Sequence, residues 1–229
     1  MPQTPHFTPS LFAFLRELSR NNNREWFLAN KARYERDVRD PLLRFIEDFA
    51  PHLRRISPHF VADPRPVGGS LFRIYRDTRF SRDKRPYKTV AAAQFRHEQG
   101  KDVHAPGFYL HLEPGNVFAG AGLWHPDAET LRAVRDAIVE RPGAWKRAVS
   151  GKTFRERFEL GGNALKRPPR GYDPEHPLID DVKRKDFVAM TAFAASEVFE
   201  PDFLERYAEV SRRTRPFMRF LTGAVGMSF

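Results

Sequence analysis

The 229-residue chain contains no cysteine, which excludes disulfides, thiol catalysis and thiolate metal sites. It has no uninterrupted apolar run of ~18 residues, so no membrane span is expected. The opening MPQTPHFTPS has no basic segment followed by an apolar one, so no secretory signal is expected and a cytoplasmic location is. A GxSxG elbow is missing, which leaves serine hydrolysis without support. The glycine spacing of a P-loop or a dinucleotide fingerprint is missing too. There is no internal repeat and no low-complexity segment.

Acidic charge is also scarce, with 29 Asp and Glu against 39 Lys and Arg, a formal net charge of +10. That balance favours acidic partners such as nucleic acid, phosphorylated metabolites or anionic surfaces, and says nothing about fold. Aromatic residues are plentiful, with 21 Phe. A chain this long can bury about 70% of its unfolded surface, so a single domain spanning 1–229 needs no covalent staples.

One stretch, Gly69 to Lys88, gathers seven cations against Asp77 and Asp83. Its front half alternates like a strand, Phe72 and Ile74 to one side, Arg73 and Tyr75 to the other. Its back half, Asp77 to Tyr87, reads as an irregular loop. Pro86 pushes Arg85 toward extended geometry, and Lys88 enters a second strand, Thr89–Phe95. Such a strand–loop–strand unit would collect guanidinium forks and ammonium groups at one sheet end. Guanidinium captures phosphate or carboxylate bidentately, and ammonium captures them as a point charge.

Around this unit the sequence predicts an α+β fold. Helical segments occupy about 8–55, a sheet about 69–124, and a C-terminal helical part about 126–223. Thr8-Pro9 opens a first helix whose apolar face is Leu11, Phe12, Leu15 and Leu18. Asn22 with Glu25 resembles a capping box for a second helix, and Pro41 should kink or break it near Asp40. Pro51 to Gly69 reads as a connector, with a short helix at His52 to Ile56. An antiparallel sheet of at least four strands follows: Leu71–Tyr75, Thr89–Phe95, Gly107–Glu113 and Val117–Leu123. Pro114-Gly115-Asn116 marks a hairpin between the last two. Gly120 and Gly122 share a face with Phe118 and Trp124, which suggests close approach by a ligand or another backbone. Asp127 is expected to cap a helix from Ala128 to Glu140. Pro142–Val149 and Lys152–Phe158 are further helices, then Phe187–Phe199 capped by Asp186, Asp202–Arg213, and Phe217–Leu221.

The candidate chemistry lies on Gly107–Glu113. Tyr109, His111 and Glu113 share one face, a spacing that lets an imidazole act as general acid or base beside a carboxylate. A metal site normally needs three or four ligands, and His97 and His104 stand at no recognised spacing, so no metal and no particular cofactor is implied. Arg73, Tyr75, Arg76, Arg79, Lys84 and Lys88 are the candidate ligand-binding residues. A second cationic knot, Lys166 to Arg170, would extend a phosphate-tracking surface if the two meet. The leading expectation is an anionic, phosphorylated ligand at the cationic sheet end, with or without acid/base chemistry. The alternatives are a nucleic-acid-binding module using both basic segments, and a scaffold protein whose cations keep a surface solvated.

FRIYRDTRFSRDKRPYKT, PGFYLHLEPG, GAGLW, LKRPPRGYDPEHPLI and PFMRFL, with the opening LFAFLRELSRNNNREWFLANKARYE, resemble the conserved-hypothetical family known as domain of unknown function 2461. The resemblance runs from about Phe7 to Leu221 and implies one compact domain. It brings with it no catalytic residue, substrate or cofactor.

Overall fold

The computed structural model describes residues 4–100 and 104–229, so the first three residues of the MPQTPHFTPS opening lie outside the described residues. Helix α1, Pro9–Arg20, buries Leu11, Phe12, Phe14, Leu15 and Leu18, and Pro9 stands at its first position. Helices α2, Arg24–Ala29, and α3, Lys31–Tyr34, lead into a π-helical turn, Glu35–Arg39, and then helix α4, Asp40–Ile56. The expected irregularity near Asp40 is this π turn, set just before Pro41, whose ring cannot donate to the ladder. α4 continues through Pro51 to Ile56, so the connector begins later than expected. Pro51 is on the solvent side, where loss of one helical N–H leaves no buried carbonyl unpaired.

Leu42, Phe45, Ile46, Phe49 and Leu53 of α4 are fully buried at helical spacing. At about 1.5–3 kcal/mol for each large apolar side chain, this stripe is a major part of what fixes the helices to the sheet. Phe49 meets Phe95 at a ring separation of 4.7 Å and Tyr207 at 4.9 Å.

The sheet is β1 (Ala91–Arg96), β2 (Gly107–Glu113), β3 (Asn116–Leu123), β4 (Glu159–Gly161) and β5 (Phe187–Ala192). The spatial order is β1-β2-β3-β5-β4, every pair antiparallel. β2 and β3 join through Pro114-Gly115, with Gly115 at φ 84°, the left-handed second position that a type II turn requires. Phe95, Ala93 and Ala91 stand opposite Phe108, Leu110 and Leu112 on the core face. Between β3 and β5 run α5 (Ala128–Glu140), α6 (Pro142–Ser150), α7 (Lys152–Arg157) and α8 (Ile179–Val182). The Asp127 carboxylate caps α5 by accepting from the Thr130 amide at 2.7 Å. α9 (Phe203–Arg213) and α10 (Arg215–Ala224) close the chain and pack on β3.

Three expectations are corrected. Leu71–Tyr75 is not a sheet strand: Leu71 bridges Ala93, the Phe72 amide donates to Ala92 O, and the segment then changes partner. From Ile74 onward it pairs with the far side of its own loop, Lys88 N–H to Ile74 O at 2.7 Å and Arg76 N–H to Pro86 O at 2.9 Å. The Gly69–Lys88 unit is therefore a hairpin laid against β1, which itself starts at Ala91 rather than Thr89.

Second, Phe187–Ala192 is a strand, not the start of a helix. Phe187, Ala189 and Thr191 are buried while Val188 and Met190 are half-buried, a period of two along a segment with β-branched residues. Asp186 is consequently no helix cap. Its fully buried carboxylate accepts from the His125 amide at 2.7 Å and the Asn163 amide at 2.8 Å, tying three chain segments together. Third, the cap of α2 is Asn23, which accepts from the Trp26 amide. Asn22 is spent elsewhere: its side chain donates to Tyr87 O at 2.9 Å and accepts from the Tyr87 amide at 3.0 Å.

The glycine expectation resolves toward backbone at Gly122. Its φ is 137°, and a Cβ there would lie 1.9 Å from Phe187 O.

Candidate functional site

Because β2 alternates, burying Phe108, Leu110 and Leu112 forces Tyr109, His111 and Glu113 onto the opposite, outer face. There they form a hydrogen-bonded row. The Tyr109 hydroxyl lies 3.0 Å from His111 Nδ1, and His111 Nε2 lies 3.3 Å from Glu113 Oε2. With the proton on Nε2 shared toward the carboxylate, Nδ1 is left to accept from the phenol.

The register adds two members that sequence reasoning overlooked. Asn116, opposite Glu113 across the turn, places its amide 3.5 Å from Glu113 Oε2. Phe118, opposite His111, stacks on the imidazole at 4.5 Å. The Pro114-Gly115 turn was the available signal, since a two-residue loop dictates which residues face each other.

Burial shapes the electrostatics. Desolvation lowers the His111 pKa, although Glu113 works the other way. Desolvation raises the Tyr109 phenol to about 12, with Glu113 adding to it. Near neutral pH the row therefore holds a neutral imidazole and a protonated phenol, suited to hydrogen-bond donation and proton acceptance.

The ligand-binding candidates separate into three groups. The first adjoins the row. The Phe72 ring meets Tyr109 edge-on at 5.9 Å, and Lys88 Nζ sits 5.2 Å from the centre of the Phe72 ring. Lys88 is half-buried, and desolvation first, then the neighbouring Arg73, lowers its pKa. Among the described residues neither Lys88 nor Arg73 has a carboxylate within ion-pair distance.

The second group is the hairpin tip, where Arg76, Arg79 and Arg85 are matched by the hairpin's own aspartates. Arg76 pairs with Asp83, Arg79 with Asp77, and Arg85 with Asp83, while Lys84 donates to Thr78 O. The third is Tyr75, which is half-exposed and packs against the Phe27–Tyr87 pair at 6.0 and 5.4 Å, with no ring contact or hydrogen bond to the polar row among the described residues. It is thus Phe72 and Lys88, rather than Arg73 and Tyr75, that meet the Tyr109 side of the sheet.

The other candidates lie apart. His97 is buried and its Nε2 is 2.8 Å from Ser228 O, while His104 stacks on Trp124. Among the described residues no three His, Asp or Glu side chains converge as a metal-holding group. Lys166 to Arg170 follows β4, at the opposite sheet edge from β1 and the hairpin. At about 4.8 Å per strand, four strand spacings set β4 roughly 19 Å from β1 across the sheet. No helix among the described residues is long and apolar enough to cross a membrane.

The model of the conserved hypothetical protein family DUF2461 matches residues 10–220. The chain belongs to that family. The match takes in the whole hairpin, the polar row and most of α10, so the candidate site lies within the DUF2461 domain. No curated protein and no solved structure matches the chain significantly.

Proposed function

We propose that this DUF2461 protein binds a phosphorylated or otherwise anionic small molecule on the outer face of its sheet, in the cytosol, where such metabolites are abundant. Lys88 and Arg73 hold the anion, and the Tyr109–His111–Glu113 row orients it and accepts or donates a proton. One observation carries this reading: the half-buried Lys88 ammonium, which has no carboxylate within ion-pair distance among the described residues, sits over the Phe72 ring that abuts Tyr109, the first member of a hydrogen-bonded phenol–imidazole–carboxylate chain. A carboxylate that orients an imidazole whose other nitrogen faces a hydroxyl is the arrangement acid/base catalysis uses.

The test is calorimetric titration with inorganic phosphate, a phosphomonoester and a tricarboxylate. Lys88→Met should weaken binding at least tenfold, and His111→Gln should abolish any pH dependence between about 5 and 7.5. Equal affinity in wild type and Lys88→Met would remove the site.

A second reading, single-stranded nucleic acid, is favoured by one feature of the hairpin tip. Phe80 is 94% exposed, with the Arg79 guanidinium 5.8 Å from its ring centre. An aromatic ring on a basic loop offers a stacking surface worth about 1–3 kcal/mol per base. Loss of oligonucleotide affinity in Phe80→Ala, with steep salt dependence, would support it; no binding at low salt would end it.

A further inference from the structure

A larger concentration of unmatched charge lies away from the sheet face, where α6 meets α9 and α10. A groove of about 760 Å³ is lined there by six arginines: Arg141, Arg147, Arg212, Arg213, Arg215 and Arg219. Among the described residues only one carboxylate answers them. Glu209 pairs with both Arg212 and Arg213, and among the described residues the other four have no ion-pair partner. The sequence explains why, since neither 141–155 nor 210–229 contains a single Asp or Glu.

Six like charges in one concavity repel one another, so the fold is held at a cost that a polyanion would relieve. The groove floor is apolar, formed by Ala144, Ala148, Pro216 and Phe220. Phe220 is buried beneath the Arg141 guanidinium, 5.4 Å from its ring centre, and offers no open face to a base. The N-terminal end of α10 lines the same groove and adds its positive dipole end. Nothing at this place stacks or reads a nucleobase. What it supplies is several planar forks, each suited to two oxygens of one phosphate, within a small-molecule volume.

We propose that this groove is a binding site for a compact oligophosphate, a ligand carrying three or more linked phosphates, separate from the anion site on the sheet face. Arg147 and Arg215, from different helices and both unmatched, clamp it from opposite walls, and the remaining arginines neutralise its further charges.

The test is isothermal titration of the full chain with inorganic tripolyphosphate, alongside orthophosphate and a single-stranded oligonucleotide, at fixed ionic strength. Tripolyphosphate should bind at least a hundredfold more tightly than orthophosphate. Arg147→Gln with Arg215→Gln should cost at least tenfold while leaving the unliganded melting temperature equal or higher. Arg147→Lys with Arg215→Lys, which keeps the charge but not the fork, should still lose several-fold. Lys88→Met with Arg73→Gln should leave in place the tight tripolyphosphate binding that the Arg147 and Arg215 variants weaken, so failure of the sheet-face site and of this one are read separately. No binding of tripolyphosphate at low salt, binding insensitive to the groove variants, or tighter binding of the oligonucleotide per phosphate would each overturn the proposal.

Discussion

Replacing Asn22 by Ala tests how the basic hairpin is attached to the domain. The Asn22 side chain makes two hydrogen bonds to the backbone of one residue, Tyr87, at 2.9 and 3.0 Å. Tyr87 is 3% exposed and stacks on Phe27 at 4.0 Å, so water reaches its amide poorly once Asn22 is cut back. Each lost bond costs about 0.5–1.5 kcal/mol net, and a buried group left unpaired costs about 1–3. Partial access of water to the vacated space lowers the sum, and the expected loss is about 2–3 kcal/mol. For a domain of this size that is a fall of roughly 5–10 °C in melting temperature. Urea denaturation gives the stability change, and amide exchange at Tyr87 and Lys88 should rise well above that of the α4 amides. Asn22→Asp keeps the acceptor but sets a carboxylate against Tyr87 O, so it should cost at least as much as Ala. A loss below about 0.5 kcal/mol, with Tyr87 exchange unchanged, would refute the idea that this side chain pins the hairpin.

The folded state lowers the His111 pKa, so its contribution is fully present above the unfolded value of about 6.5 and is lost as pH falls through the folded value; His111→Gln should flatten that part of a stability-versus-pH profile. Gly122→Ala, which would put a Cβ 1.9 Å from Phe187 O at a φ that L residues avoid, should cost more than about 4 kcal/mol and break the β3–β5 pairing, read as loss of soluble protein or of a cooperative melt. Asp83→Asn should free Arg76 and Arg85 together, strengthening phosphate binding at the hairpin severalfold at low salt with little change in melting temperature, as calorimetry and a thermal scan would report.

The α+β class and the β2–β3 hairpin were legible because both rest on short-range rules. The alternation of Phe108, Leu110 and Leu112 and the Pro114-Gly115 turn leave one register open, and the row Tyr109–His111–Glu113 follows from it. Residues 187–192 were not legible as a strand, since their pairing partner β3 lies some seventy residues earlier and the segment FVAMTAF is apolar enough to suit either period. Leu71–Tyr75 failed differently. Leu71 and Ile74 are buried while Phe72 meets Tyr109, because the hydrogen bonds change from β1 to the far arm of the hairpin within three residues, and no local pattern records a change of partner. The arginine groove was invisible for a third reason. Arg141 and Arg147 are separated from Arg212 to Arg219 by more than sixty residues, and only the packing of α10 on α6 brings them together.

Counting cations also misjudged where charge is free. Asp63 and Arg65, Asp77 and Arg79, and Asp83 and Arg85 repeat one local device. In each, the aspartate accepts from the backbone amide two residues on while its carboxylate engages that residue's guanidinium. The carboxylates respond accordingly: Arg79 lowers Asp77 to about 2, and Arg85 with Arg76 depresses Asp83 further. Such exposed pairs add little to stability, but they hold the guanidinium against its own turn, where an incoming phosphate must compete with a carboxylate already bound. Three of the seven cations in the most conspicuous run of Arg and Lys, namely Arg76, Arg79 and Arg85, are therefore already held by carboxylates. Among the described residues the arginines of the acid-free helices α6 and α10 have no carboxylate within ion-pair distance, and Lys88, beside the polar row, escapes the same pairing. An anion should accordingly choose among these surfaces by the carboxylates they lack rather than by the cations they hold.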